Sequence, residues 1–76
     1  MKNIYLLKDL SRITGHSVYT LKYYSRIGLL EEIGRSPETN FRYFDDSSVA
    51  RLKNIRTLQN QGFSLKNIKD RLVSGL

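Results

Sequence analysis

The sequence predicts a mainly α-helical domain in which two short helices, a two-stranded hairpin and two further helices follow one another. Apolar residues recur at helical spacing in four segments, turn residues separate these segments, and a stretch in the middle of the chain loses the helical period. A chain of 76 residues has room for one hydrophobic core only. We therefore expect a single domain over residues 1–76.

The first helix is predicted over about residues 6–13, with its apolar positions on one face. Gly15, in the turn 14–16, is suited to the left-handed conformation that ends many helices. The residues expected to face the core are Leu6, Leu7, Leu10 and Ile13.

The second helix is predicted to begin after Ser17, a favourable N-cap, and to stop at Gly28. Val18, Leu21 and Tyr24 would form its inner face. Two helices joined by a three-residue turn with a central glycine make a helix-turn-helix, here over about residues 6–27.

A hairpin, or wing, is predicted over about residues 31–44. The segment 36–39 contains Pro37 and is rich in turn-forming residues, and the flanking segments 32–35 and 40–43 can pair as short antiparallel strands. The overall prediction is thus a winged helix-turn-helix.

Two further helices are predicted over about residues 46–61 and 64–73. Capping residues precede each of them, at positions 45–48 and at Ser64. Apolar residues repeat at helical spacing in both, and those expected to face inward are Val49, Leu52, Ile55 and Leu58 in the first and Leu65, Ile68 and Leu72 in the second.

Composition limits the classes of function. Thirteen lysines and arginines against seven acids give a net charge of +6, which favours a polyanionic partner. The chain has no cysteine, so disulfides and thiolate metal sites are excluded, and we expect no cofactor. The apolar run near the N-terminus is too short for a signal peptide or a membrane span, which predicts a cytoplasmic protein. A DNA partner would make that protein nucleoid-associated.

The outer face of the second helix is predicted to carry Tyr19, Lys22, Tyr23 and Arg26, with no acid among them. Lysine and arginine bind phosphates or guanine edges, and tyrosine hydroxyls donate to phosphate oxygens. This pattern favours double-stranded DNA as the partner. The alternative for Tyr23 and Tyr24 is that they are aromatics at the edge of the core.

Arg35 and Arg42 would lie on opposite strands of the wing, beside its turn. They can either form surface ion pairs with Glu31, Glu32 or Glu38, or lie along the DNA backbone or minor groove. We favour the contact with DNA.

Catalysis is not expected. The single histidine, His16, lies in a turn, and no nucleophile, base and acid can be assembled around it. Two alternatives to a sequence-specific DNA-binding domain remain open: a DNA-bending accessory or recombination factor, and a protein-interaction scaffold.

The motifs at residues 15–24, 28–30, 40–44 and 62–65, read in order, closely resemble the N-terminal domain of MerR-type transcriptional regulators of bacteria. The resemblance spans about residues 4–72. It implies a winged helix-turn-helix whose second helix enters the major groove, on promoters that the protein distorts so that RNA polymerase can engage them. By position in the family, the implied DNA contacts are Ser17, Tyr19, Thr20, Lys22, Tyr23 and Tyr24 from the helix, and Arg35, Asn40 and Arg42 from the wing.

The chain departs from the family pattern at several positions. Lys22 stands where arginine is common, which weakens bidentate reading of guanine, and Phe41 stands where tyrosine is common, so we expect it to serve packing alone. Glu31 and Glu32 lie where proline is common. The long dimerisation helix of the family is missing, so the chain is expected to be either an excised domain, which we favour, or a stand-alone short member of the family. We expect this chain to be a monomer, and a homodimer in any longer protein that has that helix.

Overall fold

The computed structural model describes residues 3–73 and contains four helices and one small sheet in the predicted order. The elements are α1 (Leu7–Thr14), α2 (Val18–Arg26), β1 (Gly34–Arg35), β2 (Arg42–Tyr43), α3 (Asp46–Asn60) and α4 (Leu65–Val73). The mainly helical fold with a two-stranded wing is therefore confirmed, whereas both ends of the predicted domain, residues 1–2 and 74–76, lie outside the described residues.

The core lies where α1 packs on α2 and α3 and where α4 packs on α3. Its fully buried side chains come from every part of the fold: Leu10, Leu21, Leu29, Phe44, Leu52, Ile55 and Ile68. Ile13 was predicted to join them, but it is 41% exposed. It lies in the last turn of the eight-residue α1, past the buried contact at Leu10.

The turn between α1 and α2 has the predicted chemistry at both ends. Gly15 adopts φ +80° and its N–H donates to the Ser11 carbonyl at 2.9 Å, which ends α1. The Ser17 hydroxyl accepts from the Thr20 N–H at 3.0 Å and caps α2. These local bonds set the direction in which α2 leaves the turn.

The two strands of the wing are shorter than predicted, with two residues each. Gly34 pairs with Tyr43, and Arg35 lies directly opposite Arg42. Asn40 closes the turn with φ +62°, a left-handed conformation that asparagine tolerates better than most residues. The register therefore brings the two wing arginines side by side.

A backbone contact that the sequence did not predict anchors the wing. Tyr5 and Phe44 exchange two N–H to carbonyl bonds, each 2.8 Å long, as an isolated antiparallel bridge. The Tyr5 hydroxyl also donates to Asp46 Oδ1 at 2.7 Å, and this bond is the main reason that the pKa of Tyr5 is raised. The segment before α1 thus joins the wing to the start of α3.

Two arginines of α3 contribute to the scaffold that supports the helix-turn-helix. Arg56 Nη2 donates to the Thr14 carbonyl at the end of α1, and Arg51 Nη1 donates to the Leu29 carbonyl just after α2, both at 3.3 Å. Cations are favourable at the negative end of a helix dipole. Two of the cations of α3 are therefore engaged in hydrogen bonds within the protein.

Candidate nucleic-acid interface

The predicted outer face of α2 is present in the structure. Tyr19 is 83% exposed and Tyr23 is 41% exposed, and Lys22 and Arg26 are exposed beside them. The Tyr23 ring lies 6.4 Å from the buried Tyr24 ring, which supports it from below. This face therefore presents two phenols and two cations on one side of α2.

Ser17 and Thr20 lie at the first turn of α2. Ser17 is exposed and Thr20 is half-buried. The Ser17 hydroxyl donates to Thr20 Oγ1 at 2.9 Å while it accepts from the Thr20 N–H. The two hydroxyls therefore stabilise the beginning of α2.

Tyr24 does not join the other predicted residues. Its side chain is 3% exposed and meets the His16 ring edge-on, with 5.6 Å between the ring centroids. Its position three residues after the buried Leu21 turns it towards the core. Tyr24 therefore lies in the core, as the alternative given for it in the sequence analysis predicted, and not on the exposed face of α2.

The wing arginines form the ion pair that the sequence left open, and Glu32 is the partner. Arg35 donates to Glu32 from Nε at 2.6 Å and from Nη2 at 3.1 Å, whereas Arg42 Nε lies 3.6 Å from Glu32 Oε1. The hydrogen bond from Arg35 is the main cause that lowers the pKa of Glu32, and the same bond raises the pKa of Arg35. Arg35 is held firmly and Arg42 loosely.

A cleft of about 320 Å³ lies between α2 and the wing. We call it the α2–wing cleft, and its lining residues are Lys22, Ser25, Arg26, Glu32, Arg35 and Arg42. Four of the six are cations and one is an acid. Four of the predicted contact residues therefore lie around one concave site.

A second depression of about 450 Å³ lies beside this cleft, between the wing and the starts of α1 and α2. Lys22, Arg35 and Arg42 border it too, together with Asn40. Phe41 also lines it and is 58% exposed, so the prediction that Phe41 serves packing alone is wrong. Its position directly before β2 leaves the ring at the surface.

Sequence reasoning did not identify Ser25 or Lys8 as part of this surface, and it considered Glu32 only as an ion-pair partner. The spacing of Glu32 and Arg35 is a weak signal for their pairing, whereas the position of Lys8 depends on how α1 meets the wing.

Among residues 3–73, no group of three metal-ligating side chains comes together. Within the same range, no helix is long and apolar enough to cross a bilayer.

Two helices joined by a tight glycine turn, followed by a two-stranded wing that shares a cationic cleft with the second helix, define a winged helix-turn-helix domain. A family model described as MerR HTH family regulatory protein matches residues 5–74. The chain belongs to this family.

Curated relatives agree with this assignment. An uncharacterized HTH-type transcriptional regulator of Haemophilus influenzae is 44% identical over 55 residues, which cover 72% of this chain and 40% of that protein. The HTH-type transcriptional regulator CueR of Bacillus subtilis is 37% identical over 68 residues, which cover 90% of this chain and 46% of that protein. The chain thus spans less than half the length of these two relatives.

Solved structures agree as well. The fold matches HiNmlR, a MerR family regulator lacking the sensor domain and bound to promoter DNA, with a TM-score of 0.76 and 36% identity over 88% of this chain and 50% of that one. A MerR family regulator from Bacillus cereus has the same fold, with a TM-score of 0.86 at 22% identity over 93% of this chain and 52% of that one.

Proposed function

We propose that this chain binds double-stranded DNA in a sequence-specific manner and serves transcriptional regulation. In this proposal α2 enters the major groove with Ser17, Tyr19, Thr20, Lys22, Tyr23 and Arg26, and the wing lies on the adjacent backbone or minor groove with Arg35, Asn40 and Arg42. Base edges are read from α2, and phosphates are bound mainly from the wing.

The observation on which this proposal rests is the α2–wing cleft. Lys22 and Arg26 from the helix and Arg35 and Arg42 from the wing line a single concave site, next to the exposed Tyr19 and Tyr23. A duplex presents a ridge of phosphates between its grooves, and a helix and a wing that straddle such a ridge reach both sides of it. The positive charge of the cleft and its concave shape are therefore both suited to a DNA duplex.

The relatives support transcriptional regulation over the two alternative functions, a DNA-bending accessory or recombination factor and a protein-interaction scaffold. The solved relative HiNmlR is bound to promoter DNA, and the curated relatives are regulators. Neither a recombination accessory factor nor a protein-interaction scaffold has a comparable observation in its favour.

We further propose how the domain acts within a longer regulator. A dimer, joined by a helix that follows this domain, would place two copies of α2 on a near-palindromic promoter. Bending or untwisting of that promoter would then set whether RNA polymerase engages it. The protein would act in the cytoplasm on nucleoid DNA.

The salt dependence of duplex binding tests the proposal. About five phosphate contacts predict that the logarithm of the association constant falls with the logarithm of salt concentration with a slope of about −4 to −5. Fluorescence anisotropy of a labelled duplex, titrated with the chain at several salt concentrations, measures this slope. A flat response, or no binding at low salt, would reject the proposal.

A further inference from the structure

Glu32 is the single acid among the residues that line the α2–wing cleft, and it faces four cations. Its carboxylate accepts two hydrogen bonds from Arg35 and lies 3.6 Å from Arg42 Nε. The Glu32 side chain is 29% exposed, so its ion pairs are partly solvated. The carboxylate thus occupies the cleft as an internal counterion.

Two polar atoms of the same cleft have no hydrogen-bond partner. Arg42 Nη1 and Ser25 Oγ are both buried and unpaired. A buried polar atom that loses its water and gains no partner costs free energy. In the present arrangement Glu32 therefore satisfies Arg35 well and Arg42 incompletely.

A phosphodiester uses the same acceptor chemistry as a carboxylate, since both offer anionic oxygens to a guanidinium. A phosphate in this cleft and the Glu32 carboxylate would compete for the same donors, and like charges at such close range repel. The bond between Arg35 and Glu32 is well formed, but its partial exposure to water limits what it contributes, and the longer ion pair with Arg42 contributes less. A phosphate that offers the same arginines an equivalent acceptor can therefore replace the carboxylate. Displacement would also let Arg42 turn its free amino group towards the new acceptor.

From these contacts we propose that Glu32 is an intramolecular competitor of DNA: its carboxylate holds the site of one backbone phosphate in the α2–wing cleft and leaves when the duplex binds. The inference rests on the proposed function and adds a residue that sets affinity without reading sequence. It predicts that Glu32 weakens binding to all duplexes alike.

The opposite role would be that Glu32 holds Arg35 and Arg42 in the position that they need to bind DNA. The two roles differ in sign. A competitor weakens binding by its presence, whereas an orienting group strengthens it. Neutralising Glu32 without changing its shape separates them.

The test compares Glu32→Gln with Glu31→Gln, which makes the same change of charge at an exposed neighbour outside the cleft. Affinity for one random-sequence duplex is measured by anisotropy over a series of salt concentrations. Glu32→Gln should bind about two- to fivefold more tightly than Glu31→Gln. It should also steepen the salt slope by about one, because one more phosphate is neutralised.

A double variant shows whether the gain arises in the cleft. In an Arg42→Ala background, adding Glu32→Gln should give less than half of its gain in the parent chain. Thermal melts of each variant establish that it is folded. The inference is overturned if Glu32→Gln binds no more tightly than Glu31→Gln while the unmodified chain binds DNA, and the proposed function fails instead if the unmodified chain does not bind.

Discussion

His16 is the residue through which the turn of the helix-turn-helix packs on the core. It lies in the turn and is 7% exposed, with its ring against Tyr24 and its Nε2 atom buried without a hydrogen-bond partner. Burial lowers the pKa of His16, the charge of Arg56 lowers it further, and a hydrogen bond with the Leu52 backbone opposes both effects. The turn histidine is therefore a structural residue that is stable in its neutral form.

This environment predicts a loss of stability on acidification. Because the pKa of His16 is lower in the folded chain than in the unfolded chain, the unfolded state binds more protons below the usual histidine pKa, and the free energy of unfolding falls as pH falls through that range. Between about pH 7.5 and about pH 5.5 the melting temperature should decrease. The pKa values of Glu32 and Asp9 are lowered, so the stability that their ionised forms contribute is lost at more acidic pH.

The control for this prediction is His16→Gln, which does not titrate in the same range. Its melting temperature should change less than that of the parent chain between the two pH values. Equal decreases in both proteins would contradict the role assigned to His16.

Neighbouring tyrosines of α2 show how far the candidate site could be predicted from the sequence. The cations and Tyr19 follow from helical spacing, because the apolar residues fix which side of the helix is inside. Tyr23 and Tyr24 are adjacent and chemically identical, so their exposures of 41% and 3% depend on how α2 is rotated against the core. That rotation is set by packing, and the resemblance to a family had assigned both residues to DNA.

Helices and strands differ in how well they could be predicted, because their stabilising contacts lie at different distances along the chain. The helices follow from caps and periodicity, since Gly15, Ser17 and Asp45 each bond within a few residues of themselves. The bridge between Tyr5 and Phe44 joins segments that are far apart in the chain, and a single bridge leaves no alternating pattern. The same holds for the two-residue strands of the wing, which is why they were predicted too long.

Residues 3–73 together offer little surface for self-association. The exposed large apolar residues are distributed over different elements: Ile4 before α1, Ile13 in α1, Ile33 and Phe41 in the wing, and Val73 at the end of α4. The nine residues of α4 are too few for a stable coiled coil. No continuous apolar seam is therefore formed by residues 3–73.

We accordingly predict that the 76-residue chain is a monomer in solution. Sedimentation velocity over a range of micromolar concentrations should give one species with the mass of a single chain. A tight dimer at these concentrations would mean that one of the exposed apolar residues belongs to an interface.

We expect one surface of the molecule, made of α2 and the wing, to bind the duplex, with α2 reading bases and the wing binding phosphates. The direct test compares three single variants on a duplex selected from a random pool and on a random duplex. Lys22→Ala removes a cation from the outer face of α2, Arg42→Ala removes one from the wing, and Lys53→Ala removes an exposed cation from α3 as a control. Thermal melts must first establish that all three are folded.

The measurement is the ratio of affinities for the selected and the random duplex, with the salt slope for each variant. Lys22→Ala should reduce binding to the selected duplex by about 1–3 kcal/mol and lower the ratio, because a base contact is lost. Arg42→Ala should weaken both duplexes alike and reduce the slope by about one, and Lys53→Ala should change neither ratio nor slope appreciably. If Lys53→Ala has the largest effect, the duplex binds at α3 instead; if Arg42→Ala lowers the ratio while Lys22→Ala leaves it unchanged, the roles of α2 and the wing are reversed.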